Sequence, residues 1–478
     1  MQKFTSRRLR LAASPFAALA LLLVWGCGSR AQAPSTPDLG GPVHTALDDY
    51  IARPEPVYQW SKVSEKKIGK NTVTTLDVTS QTWQGIVWKQ KVEIAVPDEN
   101  DFPGTALVYL STADSAMESL LMQSLALRVR ATIIHVMGMP NQPLWKMRED
   151  DLIAHTFMKT LETGDKTWPL LLPMTKGAVK ALDAVQEYSR QEGKPLEKFV
   201  ITGASKRGWT TWLVGATDTK NRVIGIIPIV YDNLNLGAQM PHQLESWGKY
   251  SPMIEDYTRR GIQAQLATEK GQQLGQIVDP YAYRARLTMP KLIVNAANDP
   301  YWTLDALNLY WNDLPEPKSV YYAPNAGHSM EGAYEGVFGT MGAWFRLVAS
   351  GKPVPKIEKY FQMPMSFGTH FAPLLVLVSE QDKVKSVQFW IARSKTRDFR
   401  ESHWTVEPPR EQLDANQLKR KGKVGYSYSL KLPTAKADIP ENEFPYVAAF
   451  ATVTFEDESS LKLSTPVSIY APFKNLSE

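Results

Sequence analysis

The stretch Phe199-Val-Ile-Thr-Gly-Ala-Ser-Lys-Arg-Gly-Trp-Thr-Thr-Trp212 carries the residue types that nucleophilic catalysis needs. A serine hydroxyl attacks a carbonyl only when a sharp turn presents it beside a base; Ser205 sits between a strand-like apolar run and an amphipathic helical pattern. Gly203 permits the tight turn and Gly208 lets the next helix pack on the strand. The spacing is G-x-S-x-x-G, because Arg207 stands where the stricter G-x-S-x-G pattern has its second glycine. The helix start offers backbone N–H groups, that of Lys206 among them, to a developing oxyanion. Lys206 and Arg207 also put two cations at the positive end of a helix dipole, at a cost of about 0.3–1 kcal/mol each when exposed. Either this field serves an oxyanion or an acidic substrate group, with Arg207 as a substrate contact, or both side chains bend outward to surface carboxylates.

A nucleophilic serine needs a base, and His328 stands in a Gly-flanked loop, Ala323-Pro-Asn-Ala-Gly-His-Ser-Met330, after a strand-like run and before the helical Ala333–Leu347. His135 falls within a strand and His155 on a helix, and His44, His242, His370 and His403 have no comparable strand-end setting. Lys291-Leu-Ile-Val-Asn-Ala-Ala-Asn-Asp-Pro300 ends a buried run at Asp299, which is placed to orient the imidazole; its rival is Asp232, at the end of the strand before. The loop Ser111-Thr-Ala-Asp114 follows another strand, and the N–H of Ser111 or Thr112 is the second candidate oxyanion donor. Trp209, Trp247 and Trp302 are the candidate aromatic contacts to substrate.

These residues need a frame. Thr72–Ser80 and Gly85–Val96 alternate as an antiparallel pair with one wet face. From Thr105 on, continuous apolar strands (Thr105–Leu110, Ala131–Val136, Lys198–Thr202, Arg222–Val230, Lys291–Val294, Ser319–Tyr322) alternate with helical stretches, which implies a mostly parallel sheet covered on both faces. An antiparallel start that turns parallel is the strand plan of a doubly wound α/β-hydrolase sheet, and the order Ser205…Asp299…His328 is the one that fold requires. Residues 43–352 are expected to form this domain, with a lid inserted at about 233–279 that contains Trp247, Tyr250 and Tyr257. After Gly351-Lys-Pro-Val-Pro355 the pattern becomes strongly alternating, and residues 365–473 are expected to form a small all-β sandwich, immunoglobulin-like or similar to fibronectin type III.

The chain contains Pro140-Asn-Gln-Pro-Leu144, Glu149-Asp-Asp-Leu-Ile-Ala154, Leu172-Pro-Met-Thr-Lys176, Gly203-Ala-Ser-Lys-Arg-Gly-Trp209, Val278-Asp-Pro-Tyr-Ala-Tyr283 and Met289-Pro-Lys-Leu-Ile293. Together these motifs resemble the PhoPQ-activated pathogenicity-related protein family of the α/β-hydrolase superfamily. The resemblance spans roughly residues 45 to 470 and implies the hydrolase fold without naming a substrate. Where the family tends to show Gly-Asp after the seventh strand, this chain has Asn298-Asp299, and its third-strand loop lacks a family-like pair of glycines.

The N-terminus reads as an export signal. Basic residues Lys3, Arg7, Arg8 and Arg10 precede a ten-residue apolar run, Phe16–Trp25, too short to span a membrane. Residues 1–26 are the expected signal peptide and 27–42 a Pro-rich tether. Val24-Trp25-Gly26-Cys27 resembles a lipoprotein box, which would make Cys27 a lipid-anchored N-terminus in the cell envelope or periplasm; the alternative is soluble secretion after Ala31-Gln32-Ala33. The chain has a formal charge of +5, and four of its cations lie in this leader, so the body is near neutral and unsuited to nucleic acid. The sole cysteine precludes an intrachain disulfide or a CxxC pair, and no HExxH, G-x-G-x-x-G or Walker loop indicates a metal or nucleotide cofactor. The expectation is an exported serine hydrolase that acts on a small-molecule or peptide ester or amide without a cofactor. The alternative is a non-catalytic envelope protein that uses a hydrolase scaffold for binding.

Overall fold

The computed structural model describes residues 44–471, apart from 113, 362–364, 367–369, 409–410, 413–421, 433–444 and 457–460. The expected signal peptide, the tether and Cys27 lie outside the described residues. A short helix α1 (Ala46–Ala52), capped by the Thr45 hydroxyl, leads into the antiparallel strands β1 (Gln59–Ile68), β2 (Asn71–Trp83) and β3 (Ile86–Pro97). There follow β4 (Thr105–Leu110), α2 (Ala116–Val129), β5 (Thr132–Val136), α3 (Glu149–Thr163), α4 (Leu171–Gln191), β6 (Lys198–Ala204), α5 (Lys206–Thr217) and β7 (Val223–Ile229). The inserted helices come next: α6 (Leu236–Trp247), the single turns α7 (Glu255–Thr258) and α8 (Ile262–Gln265), and α9 (Glu269–Val278). Strands β8 (Lys291–Ala296) and β9 (Lys318–Ala323) and helix α10 (Tyr334–Ala349) complete the α/β part.

The sheet order is β1-β2-β3-β5-β4-β6-β7-β8-β9, with β5 through β9 all parallel. Every residue of β5 and β8 is buried, as parallel strands covered on both faces must be. Both cores are apolar: Trp212, Leu213 and Tyr310 belong to one, and Trp344, Phe345 and Ile133 to the other. The exposed outer strand β1 carries Lys62, Lys66 and Lys67, charges that discourage edge-to-edge pairing.

The remaining strands are β10 (Ile357–Phe361), β11 (Met365–Ser366), β12 (His370–Ser379), β13 (Val384–Ser394), β14 (Thr405–Glu407), β15 (Glu411–Gln412), β16 (Lys423–Lys431), β17 (Tyr446–Phe455), β18 (Lys462–Ser464) and β19 (Ser468–Tyr470). They form two facing sheets that share a core, in which Phe389 stacks on Tyr428 at 5.7 Å. One sheet, β10-β12-β16-β15 with β11, is separate. The other does not close on itself as an independent sandwich would. It extends the central sheet as β9-β18-β17-β13-β14, joined where Ser464 pairs with Val320 and the Ser464 hydroxyl accepts the N–H of Tyr322 at 3.1 Å. Strand β9 would otherwise present a bare edge, and β18 covers part of it.

The β6–α5 turn depends on close approach. A Cβ on Gly208 would lie 2.8 Å from the carbonyl oxygen of Ile229, and one on Gly203 would lie 2.8 Å from the Arg207 Cβ and carbonyl oxygen. Gly208→Ala therefore forces α5 off β7 and is expected to destabilise the protein by about 1–3 kcal/mol, seen as a lower denaturant midpoint at unchanged slope.

Candidate active site

The turn holds Ser205 at φ 57° and ψ −123°, a strained conformation for a residue with a Cβ. It is fixed from both sides: Ser205 N–H donates to Ile229 O at 2.8 Å, and Trp209 N–H donates to Ser205 O at 3.0 Å. His328, in the loop between β9 and α10, places Nε2 2.9 Å from Ser205 Oγ. Its Nδ1 lies 2.8 and 3.0 Å from the two carboxylate oxygens of Asp299, in the loop after β8. The imidazole is also stacked on Tyr301, with centroids 4.0 Å apart, so its rotation is limited by a ring as well as by a carboxylate. A hydroxyl, an imidazole and a carboxylate arranged in this way can pass a proton from serine to histidine while the carboxylate holds the tautomer.

Asp232 does not reach this array. Its carboxylate accepts from Tyr310 Oη at 2.6 Å and from Asn295 Nδ2 at 2.7 Å. Burial pushes its pKa up to about 7, and the charge of Asp299 adds to the effect while the Tyr310 hydroxyl opposes it. Because the folded value lies above the ordinary value of 3.8, stability from this group is complete below about pH 4 and is lost as pH rises through about 7. Wild-type protein is therefore expected to lose melting temperature between pH 5 and 8, and Asp232→Asn to lose less; thermal melts at four pH values across that window check this.

Two backbone N–H groups near the turn are left without a backbone acceptor among the described residues. The N–H of Lys206 is the first of α5 and has no intrahelical acceptor. The loop after β4 begins beside the elbow, because Leu110 pairs with Gly203. The Ser111 N–H is taken by Val136 O at 2.9 Å, whereas no acceptor for the Thr112 N–H occurs among the described residues. Thr112 is held by its carbonyl, which accepts from Gly138 N–H at 3.1 Å, and by its hydroxyl, which donates to Met139 O at 3.3 Å.

The cationic side chains turn to acids. Lys206 Nζ lies 2.8 Å from Asp150 and 3.1 Å from Glu149, and Arg207 Nη1 lies 2.9 Å from Glu149. Burial works against ionisation of Glu149, but Arg207 and Lys206 together outweigh it and hold the carboxyl below its usual range. Both acids sit in the first turn of α3, where its dipole favours them. The expectation of Arg207 as a substrate contact is therefore corrected: its charge is spent on Glu149, and it does not line the cavity at Ser205.

That cavity, about 60 Å³, is walled by Trp209, Tyr231, Tyr301 and Trp302 on the sheet side and by Leu236, Met240 and Tyr257 from the insertion. Trp209 stacks on Tyr231 at 4.9 Å, and Trp302 meets Tyr231 edge-on at 5.9 Å. Asp279 ties the ends of the insertion together, its carboxylate accepting the N–H groups of Asn235 and Leu236. Trp247 is also corrected as a substrate contact: its ring lies under the Arg400 guanidinium at 4.0 Å and faces a neighbouring cavity beside Asp232. Among the described residues, no cluster of three or more His, Cys, Asp or Glu side chains could hold a metal ion.

One contribution is invisible in the local sequence pattern. A strap from the C-terminal strands, residues 399–404, grips both the acid and the base loops. Asn298 Nδ2 lies 3.2, 3.1 and 2.7 Å from the carbonyl oxygens of Phe399, Arg400 and Ser402. Asn325 accepts Trp404 N–H at 2.7 Å and donates to Trp404 O at 3.0 Å. The departure from Gly-Asp at Asn298-Asp299 was the only signal of this. Asn298→Gly is expected to lower kcat by about 10- to 100-fold with little change in KM, since slight misplacement of Asp299 costs rate more than binding; steady-state kinetics of the variant checks this.

The strand order and the strained serine turn define an α/β-hydrolase scaffold. The chain belongs to the PhoPQ-activated pathogenicity-related protein family, whose family model matches residues 47–400. It is 32% identical over 472 residues to the autocrine proliferation repressor protein A of Dictyostelium discoideum, covering 91% of this chain and 92% of that protein. Among solved structures it is similar to an acetyl xylan esterase from Paenibacillus sp. R4 (14% identity, 64% of this chain, 91% of that chain, TM-score 0.43). A second, acetyl xylan esterase 1 from Thermoanaerobacterium sp. JW/SL YS485, has 11% identity, 65% and 95% coverage and a TM-score of 0.40. Likenesses this distant carry no inference about activity.

Proposed function

We propose that this protein is an exported serine hydrolase that cleaves an ester or amide through an acyl-enzyme. The observation that carries the reading is the unbroken chain Asp299–His328–Ser205, with contacts of 2.8 and 2.9 Å, at a strained strand–helix turn. Ser205 Oγ attacks the carbonyl carbon as His328 Nε2 takes its proton; the carbonyl π electrons move onto oxygen, facing the N–H groups of Lys206 and Thr112. Collapse of the tetrahedral adduct breaks the bond to the leaving group, which takes the proton from His328. Water then repeats the sequence on the acyl-enzyme, frees the acid and restores Ser205. Asp299 holds Nδ1–H towards itself and stabilises the imidazolium.

A panel of small esters and aminoacyl amides tests the reading, with Ser205→Ala as control: turnover by the wild type alone supports it, and equal rates from both proteins refute it. Export belongs to the same proposal, with Cys27 as the lipid-bearing N-terminus; the basic stretch, the ten-residue apolar run and the sole cysteine support it. Mass spectrometry of the mature N-terminus distinguishes a diacylated Cys27 from a chain cut after Ala33.

A further inference from the structure

The cavity at Ser205 combines three properties that together describe a ligand. The first is size. An apolar cavity of about 150 Å³ takes a benzene ring. At about 60 Å³, this one has about two fifths of that, room for roughly two to three non-hydrogen atoms. The second is charge. The walls are largely apolar, and the two ionised groups at the cavity, Asp150 and Lys206, already satisfy each other at 2.8 Å, with Tyr257 Oη donating to Asp150 at 2.9 Å. A further charge brought in would be buried without a partner, which costs far more than a neutral group does. The third is polarity without a partner. Tyr231 Oη, Asn233 Oδ1 and Gln263 Oε1 all belong to residues that line the cavity; the Tyr231 and Asn233 side chains are close enough to influence each other but do not reach hydrogen-bond geometry, and Gln263 Oε1 has no partner among the described residues. Tyr231 is 3% and Asn233 6% exposed, so neither is freely solvated. Two of the three atoms are carbonyl oxygens, which can only accept.

We infer that the group bound beside Ser205 is a compact, uncharged acyl group of about two to three non-hydrogen atoms beyond the carbonyl that carries an O–H or N–H donor, as a short hydroxyacyl group does. The inference rests on the hydrolase reading above and adds the substrate class. An unsubstituted acyl chain would fill the apolar walls but leave the buried acceptors unpaired, and sites of that kind discriminate strongly against the analogue lacking the polar group. A long chain would have to displace the Trp209–Tyr231–Trp302 packing.

Methyl esters of propionic, 2-hydroxypropionic, 3-hydroxypropionic and octanoic acids, followed by pH-stat, test this with the full mature chain. At least one hydroxypropionate is expected to exceed propionate in kcat/KM by tenfold or more, and octanoate to fall at least 100-fold below propionate. Tyr231→Phe, a change that keeps the ring packing, and Asn233→Leu are each expected to shrink the ratio of hydroxypropionate to propionate kcat/KM at least about threefold. Comparable rates across the four esters, or a hydroxyl preference untouched by both variants, would overturn the inference and leave the hydrolase reading standing. Failure to hydrolyse any of the four, by a protein whose Ser205 takes no fluorophosphonate label, would remove the hydrolase reading and this inference with it.

Discussion

Ser205→Ala is expected to lower kcat by about 10³- to 10⁶-fold, the range lost when a member of such an array is removed while binding and oxyanion donors remain. The fold should not suffer. Among the described residues the hydroxyl is hydrogen-bonded to the His328 ring alone, at 2.9 Å, while the backbone at φ 57° is held by Ile229 O and Trp209 N–H, which an alanine keeps. Ser205→Gly sharpens the expectation: the loss of activity should match, but stability should rise by about 1 kcal/mol, because glycine adopts a positive φ without the Cβ penalty. Opposite signs in rate and stability at one position are the mark of strain kept for function, and kinetics with chemical denaturation on the same two variants read both.

The second large effect separates the two acids. Asp299→Asn is expected to cost about 10⁴-fold in kcat, because an amide NH2 facing Nδ1 favours the tautomer that points N–H, instead of a lone pair, at Ser205. Asp232→Asn should stay within about threefold of wild type, since the hydrogen bonds of Asp232 go to Tyr310 and Asn295 and not to His328. Single-turnover rates for the pair check it; if Asp232→Asn were the more damaging change, the assignment of the acid would be reversed.

What could be read from the chain follows from how local each signal is. The Ser205 turn depends on two glycines and a strand-to-helix change of period within ten residues, and Asp299 and His328 follow strand ends marked by continuous apolar runs. Strand β1 gave no such signal, because an exposed, lysine-rich edge strand buries no alternate face. The C-terminal strands alternate clearly enough to be recognised, but alternation says nothing about which neighbour a strand pairs with, so the extension of the central sheet through Ser464 and Val320 was not legible. The same holds for the cations of the turn. Helix-dipole reasoning identified Lys206 and Arg207 as costly, while the acids that offset them, Glu149 and Asp150, lie more than fifty residues earlier. The grip of the 399–404 strap on Asn298 and Asn325 is likewise a contact across about a hundred residues of chain and less, made by carbonyl oxygens that every residue possesses.

The most direct measurement is covalent labelling of the intact mature protein with a fluorophosphonate, followed by peptide mass mapping. The account predicts one adduct per chain on the peptide that contains Ser205, abolished in Ser205→Ala and slowed at least 100-fold in His328→Ala. No adduct, or an adduct of equal rate with His328 replaced, would contradict it and leave a hydrolase-shaped binding protein.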